Sequence, residues 1–310
     1  VGKSVVSLML GQWLAKMGHS TTIVDLDLSG ANLHTLLGIK EAPTTLNDVL
    51  DRRADSLDEV SLTTEVPNLR AVCGASEVLS SANPVFARKL KLMRGLFHLS
   101  SEFVVLDLGA GTSFNVLDFF LVADLQVVVT TSEPTAIYNA YALIRNAVFR
   151  RLSQLTRRHP FLKELVVEAM DPQNGQLRTA EDIYRAIYQQ GGKDLLEPIR
   201  QETARIRPHI LLNRMVHPRE RLTFGILREV AAKYLALELS DLGAIGEDHE
   251  LRSMIARMVP LTRGGGYRGA WEDARRVAKQ ILLAADRSAD EPGPELLESS
   301  ESMTNLGQAG

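Results

Sequence analysis

Gly2, Lys3 and Ser4 at the head of the chain are the residue types that hold a phosphate: a glycine that lets backbone come close, a lysine charge, and a hydroxyl within reach of a divalent cation. The following "SVVSLMLGQWLAKMG" has helical spacing and stops at Gly18, so a helix is predicted to aim its free N-terminal N–H groups at the same anion. Further on, "IVDLDLSGAN" ends an apolar run with Asp25 and Asp27, and "FVVLDLGAG" ends another with Asp107. Acidic side chains at the carboxyl ends of parallel strands can hold a metal's water shell or orient an attacking water. Each feature also has an ordinary reading, with Asp25 and Asp27 as turn formers, Asp107 as a helix cap and Gly-Lys-Ser as a chance tripeptide. Three of them in this order favour a phosphate and metal site.

The elements that must position these residues can be read from periodicity. "TTIVDLDL", "LRAVC", "EFVVLDLGAG", "LQVVVTTSEP", "HILLNRM" and "DLGAIG" read as strands. Helical spacing recurs in "NPVFARKLKLMRGLFHLS", where Asn83 and Pro84 suit a cap and first turn, around "FNVLDFFLVA", in "TAIYNAYALIRNAVFRRLSQL", in "DHELRSMIARM" and in "GAWEDARRVAKQILLAAD". Near-continuous apolar strands alternating with helices predict an α/β fold: a mainly parallel, doubly wound sheet covered on both faces. Residues 151–207 break the alternation and read as a charged, solvated helical insertion with a turn at "DPQNGQ", or, from the basic stretch "RNAVFRRLSQLTRRHPFLK", as a surface for a partner or anionic lipid. A single domain is expected over 1–285, followed by a disordered acidic tail over 286–310 rich in Ser, Gly and Pro.

Bulk composition narrows the classes. Across 310 residues, 45% are hydrophobic and 24% charged, as in ordinary globular proteins, and a net charge of −3 gives no global basic field for nucleic acid or anionic lipid. The one cysteine, Cys73, cannot build a disulfide framework or a multi-cysteine metal site and fits a reducing cytoplasm. The apolar run "FFLVADLQVVVTT" is too short and too polar to span a bilayer. A cytoplasmic protein is expected, with peripheral contact at the inner membrane left open.

The stretch "VGKSVVSLMLGQWLAKMGHSTTIVDLDLSGANLHTLLG" resembles the deviant P-loop ATPases of the MinD/ParA class, whose loop reads K-G-G-V-G-K-[ST]. Within that class, "VLDLGAGTSFNVLDFFLVADLQVVVTTSEPTAIYNAYALIR" is most similar to the FlhG (FleN, YlxH) regulators of flagellar number and placement. The resemblance covers roughly 1–150 and 208–285. It implies a P-loop NTPase that binds ATP with Mg2+. Gly2, Lys3 and Ser4 would hold the phosphates, with Ser4 also on the metal. Asp27 would orient water, with Lys3 as its catalytic partner on the phosphate. Asp25 would lie beside Asp27 at the metal, Asn32 would complete that switch, and Asp107 would hold the metal shell. Asn213 would hydrogen-bond adenine, with Asp248 of "IGEDHELR" near the base, although Gly246 stands where the family has proline. Asn139 stands where flagellar members often have Asp.

The resemblance further implies slow, switch-like hydrolysis in an ATP-dependent homodimer that reports nucleotide state to a protein partner, a flagellar or polar-positioning factor. The family begins its P-loop before Val1 and its first strand earlier still, so the sequence is expected to be a fragment of an ATPase parent that by itself folds poorly and does not turn over. The main alternative is a ParA-like DNA-partitioning ATPase, for which the Arg-rich 145–158 helix is the only candidate surface; another is a nucleotide-dependent binding module without turnover. An iron–sulfur scaffold or nitrogenase-iron-protein role lacks its cysteines, and a dethiobiotin-synthetase-like ligase leaves "EPTAIYNAYALIR" without explanation. MinD-type proteins end in a lipid-binding amphipathic helix. Here the tail is acidic, and "ARRVAKQILLAAD" reads as a core-packing helix.

Overall fold

The computed structural model describes residues 1–27, 30, 33–74, 86–155, 161–170, 179–263 and 268–288. Helix α1 (Lys3–Lys16) opens the chain and leads through a turn at Gly18 into strand β1 (Thr21–Leu26). Two short helices that periodicity did not suggest, α2 (Leu33–Leu37) and α3 (Leu46–Leu50), precede a two-residue strand β2 (Leu62–Thr63) and β3 (Leu69–Val72). Then follow α4 (Phe86–Phe97), β4 (Phe103–Leu108), α5 (Phe114–Val122), β5 (Val127–Thr130) and the long α6 (Pro134–Leu155). Helices α7 (Phe161–Met170) and α8 (Ala180–Ala204) fill the irregular region. Strand β6 (His209–Met215), a single 3-10 turn at Pro218–Arg221, α9 (Leu222–Leu235), β7 (Ser240–Gly246), α10 (His249–Ala256) and α11 (Ala270–Ser288) complete the described chain. The Asn83–Pro84 cap, the "DPQNGQ" turn and the tail from residue 289 lie outside the described residues, and α11 runs through 286–288.

The strands form two sheets, ordered β2-β3-β1-β4 and β5-β6-β7. All pairings are parallel except β2 with β3. In the first sheet, β1 lies between β3 and β4, and its register places Asp25 opposite Asp107. The fold therefore carries both carboxylates to the same end of neighbouring strands, where open parallel sheets offer their ligand sites.

One core joins the two sheets. Val6, Leu8, Met9, Leu10, Trp13 and Leu14 of α1 pack with Ile23 and Leu69 of the first sheet, with Leu211, Leu242 and Ile245 of the second, and with Trp271, Ala274, Val277, Ala278 and Ile281 of α11. Helix α1 is buried almost all round from Val6 to Ala15, including the polar Gln12, as befits a central helix. Helix α11 uses its apolar face in this core, in line with the core-packing reading of "ARRVAKQILLAAD". A second core backs the first sheet against α3 and α4.

The third core corrects one expectation. The described residues of 151–207 are not a solvated attachment: Leu162, Leu165, Val166, Ile183, Tyr184, Ile187 and Ile199 are buried with Ile144, Val148 and Leu152 of α6 and Leu227 and Ala231 of α9. Charge on the outward faces hides this in the composition, because a helix needs only one apolar stripe to build a core. Among the described residues no helix is long and apolar enough to cross a membrane.

Candidate functional site

The site is built on the N-terminus of α1. Gly2 caps the helix with φ 86°, a left-handed conformation that glycine adopts without steric cost. A Cβ there would also meet Asn213 Nδ2 at 2.8 Å. That amide nitrogen donates a 2.7 Å hydrogen bond to the Val1 carbonyl, so the end of β6 grips the backbone leading into Lys3. Asn213, expected on a base, is 6% exposed and has at least one of its donors on main chain. No acidic side chain occupies the first turn of α1, which keeps the helix pole free of competing negative charge.

Asp107 ends β4 beneath this turn. The Ser7 hydroxyl donates to its Oδ1 at 3.1 Å, while its Oδ2 is buried with no hydrogen-bond partner. Burial pushes the Asp107 carboxyl above the ordinary range; the Ser4 and Ser7 hydroxyls and the Lys3 charge oppose that rise. A buried carboxylate oxygen without a donor, beside a serine hydroxyl and a lysine, is a donor set suited to a hard, oxygen-seeking cation.

Asp27 reaches this corner from β1. A Cβ on Gly109 would fall 2.9 Å from Asp27 Oδ1, so the carboxylate lies against the chain leaving β4, at a place where only glycine leaves room. Asp25 behaves differently. It is fully buried, its Oδ1 accepts the N–H of Asp27 at 3.1 Å and its Oδ2 accepts the N–H of Leu33 at 3.1 Å. Burial pushes its carboxyl up to about 6 against the pull of these two bonds. Both oxygens that were expected beside the metal thus have backbone partners.

Asp248 likewise has both oxygens on main chain. It caps α10 by accepting the Leu251 N–H at 3.0 Å and holds the start of α11 through the Ala270 N–H at 3.1 Å. The side chains that line the nearby cavity, about 460 Å³ at the carboxyl ends of β5, β6 and β7, include Ser132, Arg214, Glu220, Glu247, His249 and Arg252. Arg214 pairs with Glu247 at 2.8 Å and Ser132 donates to Glu220 at 2.7 Å. Sequence reasoning missed these residues, although Arg214 directly follows Asn213 and could have been found by extending the strand-end reading one position. Asn32 lies outside the described residues. The structure thus brings together Gly2, Lys3, Ser4, Asp27 and Asp107, with Asn213 bracing them.

Known proteins share stretches of this sequence and its fold. A family profile described as "ParA: NUBPL iron-transfer P-loop NTPase" matches residues 1–148. Residues 1–148 are thus similar to the ParA/MinD family of P-loop NTPases. The chain is 32% identical over 178 residues to "Antiactivator FleN" of Pseudomonas aeruginosa, covering 57% of this chain and 60% of that protein. It is 31% identical over 147 residues to "Flagellum site-determining protein YlxH" of Helicobacter pylori, covering 47% and 49%. The chain spans about half to three fifths of the length of the curated relatives it matches. Over nearly its whole length it shares the fold of the septum site-determining protein MinD of Pyrococcus horikoshii, solved with Mg-ADP, at a TM-score of 0.57 and 18% identity, covering 93% of this chain and 94% of that one. The α/β architecture is therefore the MinD/ParA fold.

Proposed function

We propose that the protein carrying this sequence binds ATP with Mg2+, hydrolyses it slowly, and uses the nucleotide state to switch a homodimer that governs the number or placement of a cellular structure. Flagella are the structure that the name of its YlxH relative points to. The observation that carries the reading is the meeting of Lys3, Ser4 and the α1 N-terminus with Asp27 and the unpartnered Oδ2 of Asp107. In this reading Lys3 and the helix pole hold phosphate charge, Ser4 and Asp107 hold the cation, and Asp27 orients water. When bound, Mg2+ would supply neutralisation of phosphate charge. The cavity beyond Asn213 would take the base.

The DNA-partitioning alternative rests on the Arg-rich 145–158 stretch, in which Arg157 and Arg158 lie outside the described residues and two of the α6 arginines already have acidic partners. Arg150 forms a bidentate pair with Asp118, and Arg151 pairs with Glu202. That supports the flagellar reading over nucleic-acid binding. A fluorescent ATP analogue should bind the chain in a Mg2+-dependent titration and be lost in Lys3→Ala. Phosphate release should be slow, and light scattering should report mass doubling with ATP but not with ADP. A wild-type chain that binds no nucleotide would sink the proposal; binding without turnover would leave the module alternative standing. Removing the gene should change the number of flagella per cell.

A further inference from the structure

The structure assigns Asp25 as a positioning residue that fixes the main chain of Asp27 to the start of α2, rather than as a holder of the cation. The inference deepens the function proposed above and rests on it for the role of Asp27. Two geometric facts carry it. One buried carboxylate accepts the N–H of Asp27 on one oxygen and the N–H of Leu33 on the other, each at 3.1 Å. In the register of β1 with β4, Asp25 lies opposite Asp107, yet the buried oxygen left without a partner belongs to Asp107.

Leu33 is a firm anchor for such a clip. It is the first residue of α2, is fully buried and belongs to the core built around α1. The end of α2 is in turn held by the Leu36 carbonyl, which accepts the Leu261 N–H at 2.9 Å. Asp25 therefore ties Asp27 to a part of the molecule that cannot shift without disturbing the core. On the other side of Asp27, the absence of a side chain on Gly109 lets the carboxylate rest against the chain leaving β4. Main chain and side chain of Asp27 are thus set by two different residues. The clip needs a carboxylate: asparagine at position 25 keeps one acceptor and turns an NH2 group toward the second N–H.

Asp25→Asn in the full chain tests this. Hydrolysis should fall about tenfold or more while nucleotide affinity and the half-saturating Mg2+ concentration stay within about twofold. The amides of Asp27 and Leu33 should exchange with solvent about tenfold faster, those of Ile23 and Val24 at an unchanged rate. A rise of about tenfold in half-saturating Mg2+, with hydrolysis restored at high Mg2+, would make Asp25 a metal holder and overturn the inference. So would unchanged hydrolysis. Should the variant fail to fold, the wild-type chain decides: Leu33 protection should be the same with and without Mg-ADP, and loss of protection on adding it would show the carboxylate leaving for the metal. If the wild-type chain binds no nucleotide, the proposed function falls. The exchange rates of Asp25→Asn then judge the clip alone, faster exchange upholding it and unchanged exchange overturning it.

Discussion

Single residues at this site differ in what they can be exchanged for, and the two left-handed glycines that flank α1 show it. Gly2 and Gly18 both have positive φ, 86° and 102°, so an alanine at either strains the backbone by about 1–2 kcal/mol. A Cβ at Gly18 meets nothing within 4 Å, whereas one at Gly2 strikes Asn213 Nδ2. Gly18→Ala should therefore lower the melting temperature and leave nucleotide affinity alone. Gly2→Ala should weaken nucleotide binding as well, because Asn213 must give up the Val1 carbonyl. Thermal melts and a nucleotide titration on both variants check this, and equal affinities would show that Asn213 is not bracing the loop. At this scale the sequence indicated which residues gather at one corner better than what they touch. Lys3, Ser4, Asp27 and Asp107 were legible because charge and hydroxyl chemistry at strand ends has few other uses. The bonds of Asp25, Asn213 and Asp248 were not, because a carboxylate facing a metal and one facing two backbone N–H groups are written with the same letter. Only the path of the chain distinguishes them.

Between elements, one polar tie gathers three helices on one carboxylate. Asp118 of α5, 6% exposed, accepts from Lys89 of α4 at 2.5 Å, from Arg150 of α6 at 2.7 and 2.8 Å, and from Gln154 at 3.0 Å. The Arg150 guanidinium also lies over the Phe114 ring, 4.5 Å from its centroid. Burial by itself would raise the Asp118 carboxyl; the hydrogen bonds and charges of Arg150 and Lys89 outweigh it and hold the group below the ordinary range. A depressed carboxylate stabilises the fold above its unfolded pKa, and that contribution is lost as pH falls through the folded one. Asp118→Asn leaves two half-buried cations without a counter-charge and should cost about 3 kcal/mol at neutral pH. The difference from wild type should shrink in acid, as denaturant melts at several pH values will show. A constant difference would mean that packing, and not charge, is what the substitution removes. Strands and long helices were readable here because each repeats its period many times. The short α2 and α3 span barely one turn and offer no period to detect, and the apolar stripes of α7 and α8 were masked by the charges around them.

The whole molecule shows two sheets held by one core. Strands β1 and β6 are paired on both sides, while β4 and β5 each have a described strand partner on one side only. Unpaired strand edges leave N–H groups open to exchange. Amides of β1 and β6 should be the slowest to exchange, and alternate amides of β4 and β5 markedly faster, in a hydrogen-exchange experiment on the chain. Equal protection in all four strands would mean that both edges are covered in solution. The α/β class and the direction of the strands were visible in sequence, because apolar runs separated by helices permit little else. The division into two sheets was not, since pairing depends on which strands come to lie side by side.

Helix α1 has a further consequence. Its N-terminal tip, which holds phosphate in the proposed function, is the first turn of a rod enclosed between strands of both sheets and α11. A rod so enclosed makes a fixed pivot and a poor messenger. In the proposed function, a signal of nucleotide state would leave the pocket through the chain that follows β1 and β4. The tip of α1 serves as the still point against which that movement is measured.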